Sequence, residues 1–289
     1  MYLDSLYRSG SPTLSLEVFP PKKDSSVDTV YDTLRQISVL QPSFVSVTYG
    51  AGGSGNSGKT LEIASALKHQ FSVEPLAHLT AITAKKETIA RTLKELEQND
   101  IQNIMALRGD IPVDFSGDPN GDFVYAKDLI AYIKRSGNFC VGAACYPEGH
   151  IDCEDPDQNL DHLLQKQQAG ADFFISQLFF DNNLFFDFQD QALRKGVTRP
   201  IIAGIMPILS KSQVSRMIFT CGASLPSAII RILHRYENDP QSLQQAGIDY
   251  VCTQMEGLMA QGVKHIHIYS MNKPQIAVAC KTRFDGIVG

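Results

Sequence analysis

Polar and ionisable residues recur in this sequence at the ends of short apolar runs. Glu17 sits in LSLEVFPP, His78 in PLAHLTAI, and Arg108-Gly109-Asp110 closes NIMALRGD. Tyr146, Glu148 and His150 follow FCVGAAC, Gln177 lies in ISQLFFD, and Tyr269 ends KHIHIY. Each type has a chemistry. A carboxyl such as Glu17 can serve as a general acid if burial keeps its proton on. Arginine presents fixed donors to a phosphate or a ring carbonyl, and glycine beside it allows close backbone approach. A glutamine amide both donates and accepts, which suits the edge of a heteroaromatic ring. Structural alternatives stand beside these: a buried salt bridge for Glu17, an ion pair for Arg108 and Asp110, core or loop histidines for His78 and His150, and a backbone-bonded amide for Gln177. Together the residues suit a pocket with planar-ring recognition, one acid and one cationic anchor.

A second motif competes. Gly53-Ser54-Gly55-Asn56-Ser57-Gly58-Lys59-Thr60 satisfies G-x-x-x-x-G-K-[ST], the pattern of a phosphate-cradling P-loop. A P-loop strand feeds almost directly into the first glycine. Here Thr48-Tyr49-Gly50-Ala51-Gly52 intervene after Val47. A second strand ending in a Mg²⁺-organising Asp is also missing, since Arg108 and Gly109 precede Asp110. The run reads better as a loop at a site mouth, with a nucleotide triphosphatase kept as the distant alternative.

The elements that must position these groups alternate. Eight β-rich runs stand out: 13–19, 43–49, 75–82, 103–109, 139–146, 172–180, 200–207 and 264–270. Most are spaced about 30 residues apart, the length of a strand, a helix and two short loops. Helical periodicity fills the gaps at 25–40, 85–99, 123–137 and 245–262. The runs are apolar on both faces, as in a parallel sheet covered by helices. Eight such units predict an α/β fold, a (βα)8 barrel in a single domain over 1–289, with extra helices before the last strand. A doubly wound open sheet is the second choice. Barrel sites lie where the strands end, which is where the polar residues fall. If Leu14 and Leu16 face the helices, Ser15 and Glu17 face the barrel interior.

Composition excludes several classes. Apolar residues at 43 % supply a large core, while a net charge of −5 argues against nucleic-acid binding. No run approaches a membrane span, and the N-terminus lacks a secretory pattern, so a cytoplasmic protein is expected. The six cysteines form no C-x-x-C pair, and Cys145 with His150 finds no second ligand pair, so no metal site is expected.

The strand-end segments LSLEVFPPK, FVSVTYGAGG, AHLTAI, NIMALRGD, AACYPEGH, AGADFFISQLFFD, IIAGIMPI and GVKHIHIYSMN together resemble the methylenetetrahydrofolate reductases. They run from residue 14 to 272, and the length suits a stand-alone catalytic domain. The resemblance implies FAD as cofactor and hydride transfer from NADH or NADPH, through the flavin, to methylenetetrahydrofolate. A flavin-bearing subunit fed by a partner electron-transfer protein is the alternative. Glu17 would then be the general acid, and Asp110 the carboxylate near flavin and pterin. Gln177 matches the pterin-binding amide. Thr48, His78, Arg108, Gly109, Tyr125, Ala126, Tyr146 and His150 fall on flavin-contacting positions, and His162 and Lys166 on positions facing the ribityl, phosphate or adenine portion. Gln213 and Met217 match the substrate and nicotinamide side, with Met217 where an aromatic is familiar. Lys273 stands where an arginine typically meets the folate tail. Asn159 replaces an expected Asp, and Gln165 a basic residue. A homo-oligomer, pairing through an exposed barrel helix, is expected.

Overall fold

The computed structural model describes all residues except 22–27, 50–56, 112–115, 117–118 and 120. Parallel strands β1 (Thr13–Val18), β2 (Val45–Val47), β3 (Pro75–Thr80), β4 (Asn103–Leu107), β5 (Cys140–Cys145), β6 (Phe173–Ser176), β7 (Ile201–Ile205) and β8 (His265–Tyr269) pair in sequence order. Pairing of β8 with β1, from Thr13↔His265 to Glu17↔Tyr269, closes the barrel. The (βα)8 expectation holds.

Helices α2 (Asp28–Ser38), α3 (Ser57–His69), α4 (Lys86–Gln98), α5 (Ala126–Ser136), α6 (Pro156–Ala169) and α7 (Asn182–Arg194) cover the outside. After β7 come α8 (Lys211–Cys221), α9 (Ser227–Arg235) and α10 (Pro240–Ala260), the additional helices expected before β8, and α11 (Pro274–Val288) closes the chain. A short α1 (Asp4–Arg8) precedes β1. Among the described residues, no helix is long and apolar enough to cross a membrane.

Strand periodicity sorts side chains into two cores. Leu14, Leu16, Val18, Val45, Val47, Ala77 and Leu79 face the helices in one large cluster. The lower barrel interior is apolar, built from Phe44, Leu76, Met105, Phe173 and Ile202, and α1 plugs it with Leu3 and Tyr7. Asn103 fixes that plug by accepting from the Leu3 backbone N–H at 2.9 Å and donating to Met1 O at 2.9 Å. The sealed base leaves the C-terminal rim as the opening.

Several elements are shorter than their sequence patterns. The run 43–49 yields a strand at Val45–Val47 and 172–180 one at Phe173–Ser176, because the chain leaves the barrel just where the polar residues begin. The last long helix starts earlier than 245. Asp239 accepts from the Ser242 backbone N–H at 3.0 Å, an N-cap followed by Pro240 at the first turn.

Candidate active site

Glu17, Asp110 and Gln177 come from β1, the β4–α5 loop and the end of β6, and all line one cavity of about 520 Å³ at the C-terminal rim. Thr48, His78, Arg108, Gly109, Tyr146 and His150 line it too, as do Met217 and Cys221 from α8. A second cavity of about 390 Å³ opens between α5 and α6, bounded by Tyr125, Ala126, Lys127, His162, Gln165 and Lys166. Arg108, Tyr146 and His150 belong to both walls, so the two spaces form a bent groove.

The strand phase turns Glu17 inward as expected. Its half-buried carboxylate oxygen Oε2 lies 3.7 Å from His78 Nε2 and accepts from Ser46 Oγ at 3.4 Å. Burial lowers His78 to about 4; the Glu17 carboxylate opposes that shift and His267 adds to it. His78 is therefore neutral near pH 7, and the structural alternative of a charged salt bridge at Glu17 gives way to a hydrogen-bonding environment.

Gly109 is required by space and backbone. Its φ is +82°, and a Cβ there would meet Ile82 Cγ2 and Thr80 Cβ at 2.9 Å each. Arg108 Nη1 pairs with Asp152 at 3.2 Å, not with Asp110, while its buried Nε has no partner among the described residues. Gln177 Oε1 accepts from the Leu178 backbone N–H at 2.9 Å, which leaves its NH2 donors for a ligand.

The side cleft is rich in cations. Lys166 Nζ donates to Ala144 O at 2.8 Å and sits 5.3 Å over the Tyr146 ring. Burial lowers its ammonium to about 8. Tyr146 packs edge-on against His150 with centroids 4.7 Å apart. Burial pushes the Tyr146 hydroxyl up and the His150 imidazole down. Asn159 and Gln165 have structural partners: Asn159 Nδ2 donates to Tyr146 O at 3.1 Å, and Lys127 Nζ donates to Gln165 Oε1 at 2.7 Å. Lys127, which sequence reading passed over, is thereby held at the cleft wall.

Two expected ligand residues are placed elsewhere. Gln213 is buried, with Oε1 accepting from Leu209 N at 2.7 Å and Nε2 donating to Pro207 O at 3.2 Å. The β7–α8 turn consumes both ends of its amide, and it does not line the mouth cavity. Lys273 occupies the N-cap position of α11 without a side-chain cap, and its Nζ donates to Gln244 Oε1 at 3.4 Å, also off the cavity wall. Gly53–Asn56 of the P-loop pattern lie outside the described residues. Thr60, whose hydroxyl would face Mg²⁺ in a P-loop, is buried in α3 and donates to Thr48 O at 3.0 Å.

His267 was missed by the sequence reading. It lines the same cavity, buried beneath Glu17 with its Nε2 4.0 Å from Oε2. The available signal was the period of two in HIHIY, which puts His267 on the inward face with Tyr269.

The buried histidines also predict acid sensitivity. Burial lowers both His78 and His265 to about 4. The unfolded chain binds these protons near pH 6.5, the folded one only near 4. Stability is therefore full above about 6.5 and falls as pH drops toward 4. Thermal melts across this range should show a declining Tm, with a shallower decline in His78→Gln; equal slopes would remove His78 from the cause.

Comparison with known proteins places the chain in a family. The family model described as methylenetetrahydrofolate reductase matches residues 2–283. The 5,10-methylenetetrahydrofolate reductase of Pectobacterium carotovorum is 31 % identical over 94 % of this chain and 90 % of its own length. That of Escherichia coli is 31 % identical over 94 % and 91 %. A maize relative, methylenetetrahydrofolate reductase (NADH) 1, is 34 % identical over 93 % of this chain, which spans 47 % of the maize protein. A solved Clostridium thermocellum structure, described as an uncharacterized protein that binds two copies of 5-methyl-5,6,7,8-tetrahydrofolic acid, superposes with TM-score 0.63 over 99 % of this chain and 100 % of its own. Its 14 % identity speaks to the fold alone. From the full-length family match and the near-complete bacterial alignments, the chain belongs to the methylenetetrahydrofolate reductase family of enzymes.

Proposed function

We propose that this protein reduces 5,10-methylenetetrahydrofolate to 5-methyltetrahydrofolate, with FAD as cofactor and NADH or NADPH as electron source. The observation that carries this reading is the convergence of Glu17, Asp110 and Gln177 on one rim cavity that continues into a cation-lined cleft. A dinucleotide flavin needs a seat for its ring and another for its phosphates. The residues present suit both. Gly109 packs its backbone against Thr80 and Ile82 on the cavity wall, and the buried Arg108 Nε, without a partner among the described residues, calls for an acceptor. Lys166, Lys127 and His162 offer the cleft donors for phosphate.

When bound, FAD supplies reversible hydride transfer. The protein supplies the rest. Glu17 gives its proton to the substrate nitrogen as the one-carbon bridge opens to an iminium. Asp110 places a negative charge in the cavity where positive charge develops on the folate. Gln177 meets the pterin edge with its free donors. Gln213 acts indirectly, by fixing the turn that carries α8 and Met217 to the cavity.

The spectrum of the purified protein tests the cofactor: a yellow sample is expected, and a colourless one that hydrolyses ATP would return the P-loop reading. Anaerobic mixing with NADH and NADPH tests the donor. Bleaching by either supports a self-sufficient reductase; bleaching by neither, with reduction by a carrier protein, favours the partner-fed subunit.

A pH dependence follows from Lys166. Its ammonium is charged below about 8 in the free protein. FAD affinity should therefore weaken as pH rises above about 8, because binding must then take up a proton. Fluorescence titration of the flavin-free protein reads this directly. Lys166→Met should bind FAD weakly at every pH and lose the dependence; a retained dependence would assign it to another group.

A further inference from the structure

Beneath Glu17 lies a polar chain that the reaction as described leaves unused. Ser15, Ser46 and His267 come from β1, β2 and β8 and are essentially sealed from solvent, at 0 %, 0 % and 1 % exposure. Ser15 Oγ donates to Ile266 O at 3.1 Å and lies 2.8 Å from His267 Nδ1. Ser46 Oγ lies 3.3 Å from His267 Nε2 and 3.4 Å from Glu17 Oε2. Phe44 stacks on the imidazole with centroids 5.9 Å apart, which holds the ring in place.

A hydroxyl has one proton to give. Ser15 spends its own on Ile266 O, so it accepts from His267 Nδ1–H. In the neutral imidazole Nε2 is then an acceptor. Ser46 has one proton and two acceptors within reach, Nε2 and Glu17. With a proton on Glu17, the carboxyl donates to Ser46, and Ser46 donates to Nε2; every group is satisfied. With that proton moved to Nε2, the imidazolium donates to Ser46, and Ser46 donates to the carboxylate; every group is satisfied again. With the proton gone, Ser46 turns to the carboxylate and leaves Nε2 buried without a partner, a costly state.

We propose that Glu17, Ser46, His267 and Ser15 form a one-proton store, with His267 as a positioning residue that keeps a proton at or next to the Glu17 carboxyl until the folate takes it. This rests on the reading of Glu17 as the acid. The delivered proton leaves a Glu17 O–H bond and forms an N–H bond on the folate. Ser46 then donates to the carboxylate. Glu17, the half-buried member of the chain, takes a proton back from solvent through the rim once product leaves. Among the described residues, His78 and Tyr269 also interact with the carboxyl, and Tyr49, Arg108, Asp110, Tyr146, His150 and Cys221 share its cavity. Burial keeps His78 neutral near pH 7 and pushes the Tyr269 hydroxyl up.

Ser46→Ala removes one oxygen and cuts the chain between Glu17 and His267. His267→Leu removes the imidazole, and His267→Gln restores an acceptor near Nε2. The folate half-reaction, measured by single turnover, should slow about 10- to 100-fold in Ser46→Ala and His267→Leu, the loss of a hydrogen bond to an ionising group. Its pH profile should shift, and His267→Gln should recover part of the rate. In the flavin-free protein, ¹⁵N resonances of His267 should show a protonated Nδ1 and an accepting Nε2, with Glu17→Gln moving the Nε2 signal. Parental rates and profiles in both variants, or a proton on Nε2 with Nδ1 bare, would overturn the store. Should His267→Leu fail to fold, Ser46→Ala and the resonances decide. Glu17→Gln separates the two levels: if it keeps the full folate rate, the acid reading itself falls; if it is slow while Ser46→Ala is not, the store alone falls.

Discussion

Glu17→Gln should slow the folate half-reaction by about 10²- to 10⁴-fold, the usual contribution of a positioned general acid, while reduction of bound flavin by the nicotinamide donor stays within about threefold of parental. The substitution keeps the shape of the side chain and its place on β1, so the cavity wall is retained. What it removes is a proton that can be given away. Nicotinamide-to-flavin transfer moves a hydride and asks nothing of an acid at that position, whereas opening the folate's one-carbon bridge leaves a nitrogen that must be protonated. The split between half-reactions is therefore diagnostic. Equal losses in both would mean that the rim had collapsed, and a normal folate half-reaction would move the acid elsewhere. Stopped-flow traces of each half-reaction, with the protein's melting temperature alongside, decide between these outcomes.

What sequence could reveal at this site depended on where each residue stands in the strand period. Glu17, Arg108, Asp110 and Gln177 were legible because a barrel brings strand ends together whatever their separation in the chain, and polar residues interrupting apolar runs mark those ends. His267 obeyed the same period of two from Tyr269 but sits one turn of the pleat deeper, where a histidine reads as core. The partners of Gln213 and Lys273 were not legible. Whether an amide faces a ligand or folds back onto its own turn depends on loop geometry, and no periodicity encodes that. Lys127 escaped notice for a related reason: its role appears only when α5 and α6 lie side by side and Gln165 accepts its ammonium.

Gly247 shows the largest gap between sequence reading and packing. A glycine inside α10 reads as a defect, and alanine there should add about 1 kcal/mol of helix stability. The structure reverses the sign. A Cβ at Gly247 would lie 1.7 Å from Ile208 O and 2.7 Å from Ile208 C, both backbone atoms of the buried turn after β7. No rotamer change relieves a clash with main chain, so α10 must move by an ångström or more. Overpacking of this kind costs typically about 1–3 kcal/mol and occasionally more, and a main-chain clash belongs at or above the top of that range. Gly247→Ala should therefore lose about 2 kcal/mol or more net and lower Tm by roughly 3–7 °C. The damage should reach the site, because α10 anchors the rim segment that follows Gln177: Gln254 Nε2 donates to Phe179 O at 2.9 Å and Tyr250 OH to Phe180 O at 2.7 Å. Displacing the helix pulls on both carbonyls, so KM for the folate should rise while binding of FAD, proposed above for the cleft between α5 and α6, stays near parental. A stabilised Gly247→Ala protein with unchanged KM would show that the turn after β7 yields freely, and that α10 covers the barrel without bracing its mouth.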